Sequence, residues 1–387
     1  MTAPRPMDDM LVLDLTMMIA GPLAGLVLAD LGADVIKVEP PAGDGSRSYF
    51  SADPTIRFNA MTAAFNRGKR SLCLDLTDPA DHALLMRIAA KADVVMEAFR
   101  PGVTERLGIT YDDIKAINDD VVYLSISGFG QDGPDSRRGG FDLAIQAESG
   151  LMHITGEPNG EPQRVGTQIV DVSTGHIAAQ SVCAALLNRE RHGVGEHIEC
   201  SLLATAISLQ THNYTEYLTV GVPLSRAGSH PVFTTPSGTY DTKDGNIVFS
   251  ANTPRHWKAF TQALGRPELA DDPRYAEQDN RAANRDSLLP EIVEILKTRT
   301  TAEWVERFSK ANIVYGEVRD YPAVVASPQF QSAGFPMEVE RSGVVTKTVR
   351  PPARYASFSP AATAGAPGIG QDTEAITTEF PPRAGRR

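Results

Sequence analysis

The chain has 387 residues, of which 42% are hydrophobic and 22% charged, a balance typical of a folded globular protein. Its formal net charge of −11 disfavours nucleic-acid binding, because phosphate backbones are bound by clusters of Lys and Arg. Cys73, Cys183 and Cys200 are far apart and provide neither a disulfide framework nor a zinc-ligand spacing. The first ten residues lack an apolar signal core, and we expect a cytoplasmic protein without a membrane span.

Strand and helix patterns alternate through the first third of the chain. Strands are predicted at 10–16, 34–40, 71–76, 93–99 and 121–127, with helices at 20–33, 77–92 and 103–117. Short connections between such elements imply parallel strands joined by right-handed crossovers. The pattern therefore predicts an α/β fold with a doubly wound sheet.

The pattern continues to about Val220 and then changes. A long amphipathic helix is predicted at 171–193, followed by a strand at 196–203 and a helix at 204–218. The segment 226–251 predicts a hairpin that turns at Asp244-Gly245, and helices follow near 255–264, 286–298 and 301–312. We predict a large domain from 1–220, a small domain from 221–325, and a return to the large domain with a tail over 326–387. Within that tail, 360–370 is expected to be extended.

A glycine-rich loop, "GFGQDG" at 128–133, follows the predicted strand at 121–127. Its spacing is that of a dinucleotide-binding turn, and Glu39 ends an earlier strand as a ribose-binding acid would. However, 134–140 is rich in helix breakers, whereas that turn must open a helix. A dinucleotide site is therefore disfavoured, and Glu39 is interpreted as a surface acid at a strand end. The sequence contains no P-loop, nucleophile-elbow or H-E-x-x-H motif, and its histidines show no metal-ligand spacing.

The remaining functional signals are the flexible backbone of 128–140, the pair Arg137-Arg138, and Asp171 at a helix start. Judged from the pattern alone, Asp171 is more plausibly an ordinary N-cap that accepts hydrogen bonds from free amides. The arginines would then be solvated surface groups.

Several segments, taken in order over nearly the whole chain, resemble the family III CoA-transferases. This family includes formyl-CoA transferase, carnitine CoA-transferases and α-methylacyl-CoA racemase. The matching stretches are "AGPLAGLVLADLGADVIKVEPP", "NRGKRSLCLDL", "ADVVMEAFRPGVTERLGI", "LSISGFGQDGP", "GGFDLAIQAESGLM", "VDVSTGHIAA" and "ELADDPRY". The resemblance implies a Rossmann-like large α/β domain built from both chain ends, a small α+β domain, and an interlocked homodimer.

The resemblance also implies the catalytic groups. Asp171 matches the family's nucleophilic aspartate, which a helix dipole would keep ionised at neutral pH. Gly128 and Gly130 lie in the loop that would donate backbone amides to an oxyanion. Gly228, Ser229 and His230 match a second flexible loop over the substrate. The implied substrates are an acyl-CoA and a free carboxylic acid, with no tightly bound cofactor and no metal.

The resemblance assigns contacts with CoA to five parts of the chain. The implied CoA-binding residues are Ile19, Ala20, Leu74 to Thr77, Ala98, Phe99, Arg100, Arg106, Gly139, Gly140, Phe141 and Asp142. Arg138 or Arg137 is added as a phosphate partner on charge alone.

Departures from the family pattern narrow the expected activity. Ile19 replaces a glutamine of formyl-CoA transferase, which disfavours formate or oxalate as the substrate. Phe141 replaces the racemase histidine and cannot serve as a base. Pro40 and Ala98 replace an arginine and an asparagine found in other members. We therefore expect CoA transfer between carboxylic acids, with succinyl-CoA as donor and a medium-chain or dicarboxylic acid as acceptor. The alternatives are a 2-methylacyl-CoA racemase and a CoA-binding protein without catalysis.

Overall fold

The computed structural model describes residues 4–51, 53, 55–231 and 234–382. The chain divides into two compact units. Unit 1 comprises Met1–Leu151, Val165–Gly221 and Ser332–Arg387, and unit 2 comprises Met152–Arg164 and Val222–Gln331. Unit 2 thus includes Met152–Arg164, a segment that the sequence-based boundaries assign to the large domain.

Unit 1 is built on a parallel sheet of six strands. In chain order the strands of the protein are β1 (Leu11–Leu15), β2 (Asp34–Glu39), β3 (Arg70–Cys73), β4 (Val94–Glu97), β5 (Val122–Ser127), β6 (Glu196–Ser201), β7 (Ser237–Asp241), β8 (Asn246–Ser250), β9 (Val314–Glu317), β10 (Pro336–Arg341) and β11 (Val344–Val349). The parallel sheet has the order β3-β2-β1-β4-β5-β6, and Leu13 of β1 lies opposite both Ile36 and Val95. Such a sheet is covered on both faces, which explains why its inner strands are nearly continuous apolar runs. In unit 2, β7, β8 and β9 form an antiparallel sheet.

Helices cover the parallel sheet and accompany the antiparallel sheet in unit 2. They are α1 (Ala20–Asp30), α2 (Ala60–Phe65), α3 (Pro79–Ala89), α4 (Val103–Leu107), α5 (Tyr111–Lys115), α6 (Asp142–Glu148), α7 (Leu151–Ile154), α8 (Ile169–His192), α9 (Leu202–Ser208), α10 (Thr211–Val220), α11 (Pro254–Leu264), α12 (Gln278–Ala283), α13 (Arg285–Leu296), α14 (Thr301–Lys310), α15 (Tyr321–Ala326), α16 (Pro328–Ser332) and α17 (Thr373–Glu379).

Helices α1 and α8 pack against each other at very short range. A Cβ atom at Gly175 of α8 would lie only 2.7 Å from the carbonyl oxygen of Ala20, so the approach requires glycine at that position. Helix α8 is long and apolar enough to cross a membrane by length and composition alone. It buries Ala178, Ala179 and Val182 in the same apolar cluster as most of α1, so it serves as a core helix of unit 1.

One predicted helix is two helices in the structure. The sequence pattern predicts a single helix over 103–117, but α4 ends at Gly108, which adopts a left-handed φ of 63°. Thr110 then opens α5 with a capping box, in which its side chain and that of Asp113 each accept from the other residue's backbone amide. The prediction was wrong because it followed hydrophobic periodicity across this local stop signal.

The segment 360–370 is not a free tail. Its backbone hydrogen-bonds to the N-terminal part of unit 1, since Ala361 donates to the Asp30 carbonyl at 3.0 Å and Gly68 donates to the Ala364 carbonyl at 2.9 Å. Arg67 adds a side-chain hydrogen bond to the carbonyl of Ala362, which is buried. The proline- and alanine-rich composition indicated an extended backbone, but it carried no signal for these contacts across the chain.

Candidate active site

The order of the parallel sheet creates a topological switch point between β1 and β4. The connections after these two strands leave the sheet in opposite directions, which opens a crevice at their carboxyl ends. Ile19 and Ala20 follow β1, and Ala98, Phe99 and Arg100 follow β4. Two of the segments predicted to bind CoA therefore meet at one edge of the sheet.

A cavity of about 210 Å³ lies at this edge. It is lined mostly by apolar side chains, namely Leu15, Met17, Val38, Pro40, Leu74, Asp75, Leu76, Phe99 and Leu107. The cavity brings Leu74 and Phe99 together, and Arg106, next to Leu107 in α4, is exposed to solvent. The hydroxyl of Thr77 donates to Asp75 at 2.6 Å. The walls suit the flat face of a nucleotide base, and Arg106 is a cation available to phosphate.

Two glycine segments pack backbone against backbone beside this edge. A Cβ atom at Gly128 would lie 2.6 Å from the Cα atom of Gly140, and a Cβ atom at Gly139 would lie 2.7 Å from a guanidinium nitrogen of Arg100. The absence of side chains therefore lets the loop after β5 and the segment before α6 approach each other. The structure thus brings Arg100 and both glycine segments together.

Two of the predicted donor groups are already engaged. Gly130, at a φ of 109°, donates its amide to the hydroxyl of Ser127 at 3.0 Å, so in this conformation that amide is not available to an oxyanion. The guanidinium of Arg138 pairs with Asp135 at 3.1 Å and with Glu148. These carboxylates would compete with a phosphate for Arg138.

Asp142 caps helix α8 from a different helix. Its Oδ2 atom accepts the backbone amides of Val170 at 2.8 Å and Asp171 at 3.1 Å. Gln146 donates to the other oxygen at 2.5 Å and accepts the amide of Val165 at 2.9 Å. The interpretation of Asp171 as an ordinary N-cap is therefore wrong, because Asp142 satisfies these amides.

Asp171 is the third residue of α8, and its side chain is half-buried. Within the described part of the chain, no hydrogen bond or ion pair holds its carboxylate oxygens. Burial and, second, the charge of Asp142 raise the pKa of Asp171 to about 7. The expectation that the helix dipole keeps this group fully ionised is wrong for this structure, since first-turn amides are directed at Asp142.

Phe141 and the small-unit loop complete the predicted site residues. Phe141 stands at the N-cap of α6, next to Asp142, and is 61% exposed. Gly228 and Ser229 belong to unit 2 and are exposed, with Gly228 at a φ of 59° and its amide bound to the Gly156 carbonyl. The His230 ring packs edge-on against Tyr240, with 5.0 Å between ring centroids. These unit 2 contacts hold the loop within its own unit.

A buried ion pair supports the turn between β1 and α1, and sequence analysis missed it. Lys37 donates to the carbonyl of Thr16 and to Asp44, both at 2.9 Å, and both charged side chains are fully buried. Asp44 also accepts the amide of Met18, which adopts a φ of 67°. Burial would raise the pKa of Asp44, but Lys37 and the backbone amides outweigh it and hold the pKa below its ordinary value. The available signal was a lysine inside the apolar strand β2.

A second overlooked carboxyl group lies directly below the predicted CoA edge. Glu97 ends β4, is buried, and accepts the amide of Phe99 at 2.8 Å. Burial raises the pKa of Glu97 to about 7. The side chain therefore fixes the backbone that leads to Phe99, and its own ionisation is disfavoured by the surrounding protein.

A larger cavity of about 360 Å³ lies on another face of unit 1. Its walls include apolar residues of α1 and the segment around Pro351, together with Val172 and His176 of α8. Its described lining contains none of the residues predicted to bind CoA. Cavity volume alone therefore does not identify the candidate active site. We identify it by the crevice at the switch point and by the Asp142–Asp171 pair.

Comparisons of the sequence with known proteins identify the family to which the chain belongs. The sequence profile of CoA-transferase family III matches residues 7–373. The chain is 37% identical to the probable fatty acyl-CoA transferase Rv3272 of Mycobacterium tuberculosis, over 98% of this chain and 96% of that protein. It is 35% identical to the succinyl-CoA:glutarate CoA-transferase of Homo sapiens, over 97% and 86% of the two chains.

Solved structures agree with the sequence relatives. An orthorhombic crystal structure of Rv3272 matches with a TM-score of 0.88 at 37% identity, covering 97% of this chain and 100% of the other. A CAIB/BAIF family protein from Brucella suis matches with a TM-score of 0.87 at 33% identity, covering 98% and 100%. The chain belongs to CoA-transferase family III, as the resemblance predicted. It is a CoA-transferase, and enzymes of this class use CoA thioesters as substrates.

Replacing Lys37 with Met is expected to destabilise the protein by about 3–5 kcal/mol, because it leaves the buried carboxylate of Asp44 without its cation. Urea unfolding followed by circular dichroism measures the change. Lys347→Met is the matched control, since Lys347 is 83% exposed and its pair with Glu338 spans 3.5 Å. The control is expected to change stability by less than about 0.5 kcal/mol. Equal effects of the two variants would contradict a special role for the buried pair.

Proposed function

We propose that this CoA-transferase moves CoA from succinyl-CoA to a medium-chain or dicarboxylic acid, with Asp171 as the nucleophile. The observation that carries the proposal is the half-buried carboxyl group of Asp171, which has no hydrogen-bond partner in the described chain and a raised pKa. Relatives named succinyl-CoA:glutarate and succinyl-CoA:mesaconate CoA-transferase support the choice of donor and of a dicarboxylic acceptor.

The first half-reaction loads CoA onto the protein. The carboxylate of Asp171 attacks the thioester carbonyl, the C–S bond breaks, and CoA leaves as a thiolate, which gives an acyl–aspartyl anhydride. The thiolate then attacks the aspartyl carbonyl and expels the donor acid as a carboxylate. The product is an aspartyl–CoA thioester.

The second half-reaction repeats these steps in reverse with the acceptor. The acceptor carboxylate attacks the aspartyl thioester, displaces the CoA thiolate, and forms a new anhydride with Asp171. The thiolate attacks the acceptor's acyl carbon, which releases the new acyl-CoA and restores the carboxylate. No net proton is consumed, and every intermediate remains activated, so water must be kept out.

The raised pKa of Asp171 suits this chemistry. A carboxylate with a higher pKa is more basic, and basicity favours attack on a thioester carbonyl. The two half-reactions need a group that is nucleophilic as an anion and a good leaving group as an acyl derivative. A carboxyl group with a pKa of about 7 meets both requirements, because about half of it is ionised at pH 7 and its pKa still lies below that of an ordinary thiol.

The switch-point edge is the proposed CoA site. The apolar cavity beside Leu74 and Phe99 would take the adenine, and Arg106 would pair with phosphate. The backbone near Gly128 and Gly140 would follow the pantetheine toward Asp171, because glycines permit close approach to a ligand.

Mass spectrometry after turnover with hydroxylamine tests the role of Asp171. Incubation with succinyl-CoA should convert Asp171 to a hydroxamate, because hydroxylamine traps both the anhydride and the thioester. Asp171→Ala should lose transfer activity by at least about 10³-fold while retaining CoA binding. Transfer at the wild-type rate in Asp171→Ala, with no label at this position in the wild type, would end the proposal.

The pH dependence of kcat/KM provides a separate test. The anion is the reactive form and burial raises the pKa of Asp171 to about 7, so activity should rise tenfold per pH unit below 7 and level off above it. Initial rates between pH 6 and 9 measure this limb with an aliphatic monocarboxylate as acceptor, because its carboxyl group stays ionised over that range. A limb near pH 4, the value of an unperturbed Asp, would contradict the arrangement described here.

We also propose the interlocked homodimer that the family resemblance implies. Large apolar side chains are exposed in the single chain, including Leu218 at 79% and Tyr321 at 87%. Association would remove such surface from water. Sedimentation equilibrium should give twice the chain mass of 41.7 kDa. A monomer at micromolar concentration would contradict the assembly.

A further inference from the structure

We infer that Asp142 is a positioning residue for the reaction, because its buried carboxylate holds the backbone amides of Val170 and Asp171 and so fixes where the Asp171 side chain leaves helix α8. The inference deepens the proposed function and rests on the role proposed there for Asp171. It replaces the CoA-binding role that sequence resemblance assigned to Asp142.

Asp142 is itself held from several directions. It is the first residue of α6, is only 7% exposed, and follows the segment whose Gly140 backbone is packed against Gly128. Gln146, one turn later and fully buried, donates to its second oxygen and also holds the amide of Val165. Asp142 and Gln146 therefore form a rigid bracket between α6 and the start of α8.

A neutral residue could cap α8 without placing a charge beside the nucleophile. Asn and Ser cap helices about as well as Asp, so capping alone does not require a buried carboxylate here. The two oxygens of Asp142 together accept three donors, at 2.5, 2.8 and 3.1 Å. Its negative charge also opposes ionisation of Asp171, which makes the Asp171 anion more basic once it forms.

Other charges around α8 do not account for this effect. Helix α8 packs against α1, α6, α9, β5 and β6, and neither α9 nor β5 carries a charged residue. Besides Asp142, the titratable or charged groups on the remaining elements are Asp30, Glu148, Glu196, His197, Glu199 and Cys200, and the cavity next to Val172 and His176 adds Arg67, Arg350 and Tyr355. Besides burial, Asp142 is the group that raises the pKa of Asp171.

Asp142→Asn is the decisive variant, because it removes the charge and keeps one carbonyl acceptor. The acidic limb of kcat/KM is expected to move down by about one pH unit. Asp142→Ala removes the acceptor as well, and kcat is expected to fall about tenfold while KM for acyl-CoA changes less than about threefold. A purely structural role would lower stability and leave the position of the limb unchanged.

The new amide in Asp142→Asn faces the donor of Gln146, which could impair folding. Combining Asp142→Asn with Gln146→Glu restores the match, since the new carboxylate accepts from the new amide and from Val165. The negative charge then lies one turn further along α6. The acidic limb of kcat/KM in this double variant is expected at a pH between the limb of the wild type and the limb of Asp142→Asn.

Glu190→Gln is the charge control, because Glu190 is exposed and lies near the far end of the same helix. The acidic limb of kcat/KM in Glu190→Gln should lie at the same pH as in the wild type. The inference on Asp142 alone is overturned if Asp142→Asn and its double variant with Gln146→Glu both keep the wild-type acidic limb of kcat/KM while hydroxylamine still traps Asp171. Failure to trap Asp171 in the wild-type protein overturns the proposed function instead, whatever the Asp142 variants show.

Discussion

The buried ion pair between Lys37 and Asp44 fixes the turn that leads from β1 into helix α1. It ties strand β2 to the turn after β1, where Met18 adopts a backbone conformation that is unfavourable for a residue with a side chain. Helix α1 begins directly after that turn, and the carbonyl of Ala20 in α1 packs closely against Gly175 of α8. Gly175 is one helical turn after Asp171, so these contacts connect the ion pair to the part of α8 that carries Asp171.

The contacts of Lys37 and Asp44 with the backbone explain why these two charged side chains are buried. An ion pair in the interior rarely adds net stability over an apolar pair of the same size, since removing two charges from water is costly. Lys37 and Asp44 instead bind backbone groups that an apolar pair would leave unsatisfied, including the carbonyl of Thr16 and the amide of Met18. Conformational specificity of the turn, rather than stability, is the gain that fits these contacts.

The local sequence was sufficient to predict much of unit 1. The strand expected at 121–127 is Val122–Ser127, and the helix expected at 171–193 is Ile169–His192, because hydrophobic periodicity and glycine stops are local signals. The cap of α8 by Asp142 was not predictable in this way, since 28 residues separate Asp142 from Val170. The same holds for the contacts of 360–370 with Gly68, which join opposite ends of the chain. Family resemblance selected Asp171, and it selected Asp142 as a CoA contact rather than as the residue that caps α8.

A helix N-terminus and a nearby carboxylate act on Asp171 in opposite directions. The free amides of a first turn would stabilise its anion, whereas burial and the Asp142 charge destabilise it. Here Asp142 takes the amides of Val170 and Asp171, so the stabilising contribution is directed to a group that does not react. Asp171 is left with burial and repulsion, and its pKa is raised rather than lowered. Capping from another helix thus turns an ordinary helix start into a place where the backbone of a carboxylate residue is held in position and the pKa of that carboxylate is raised.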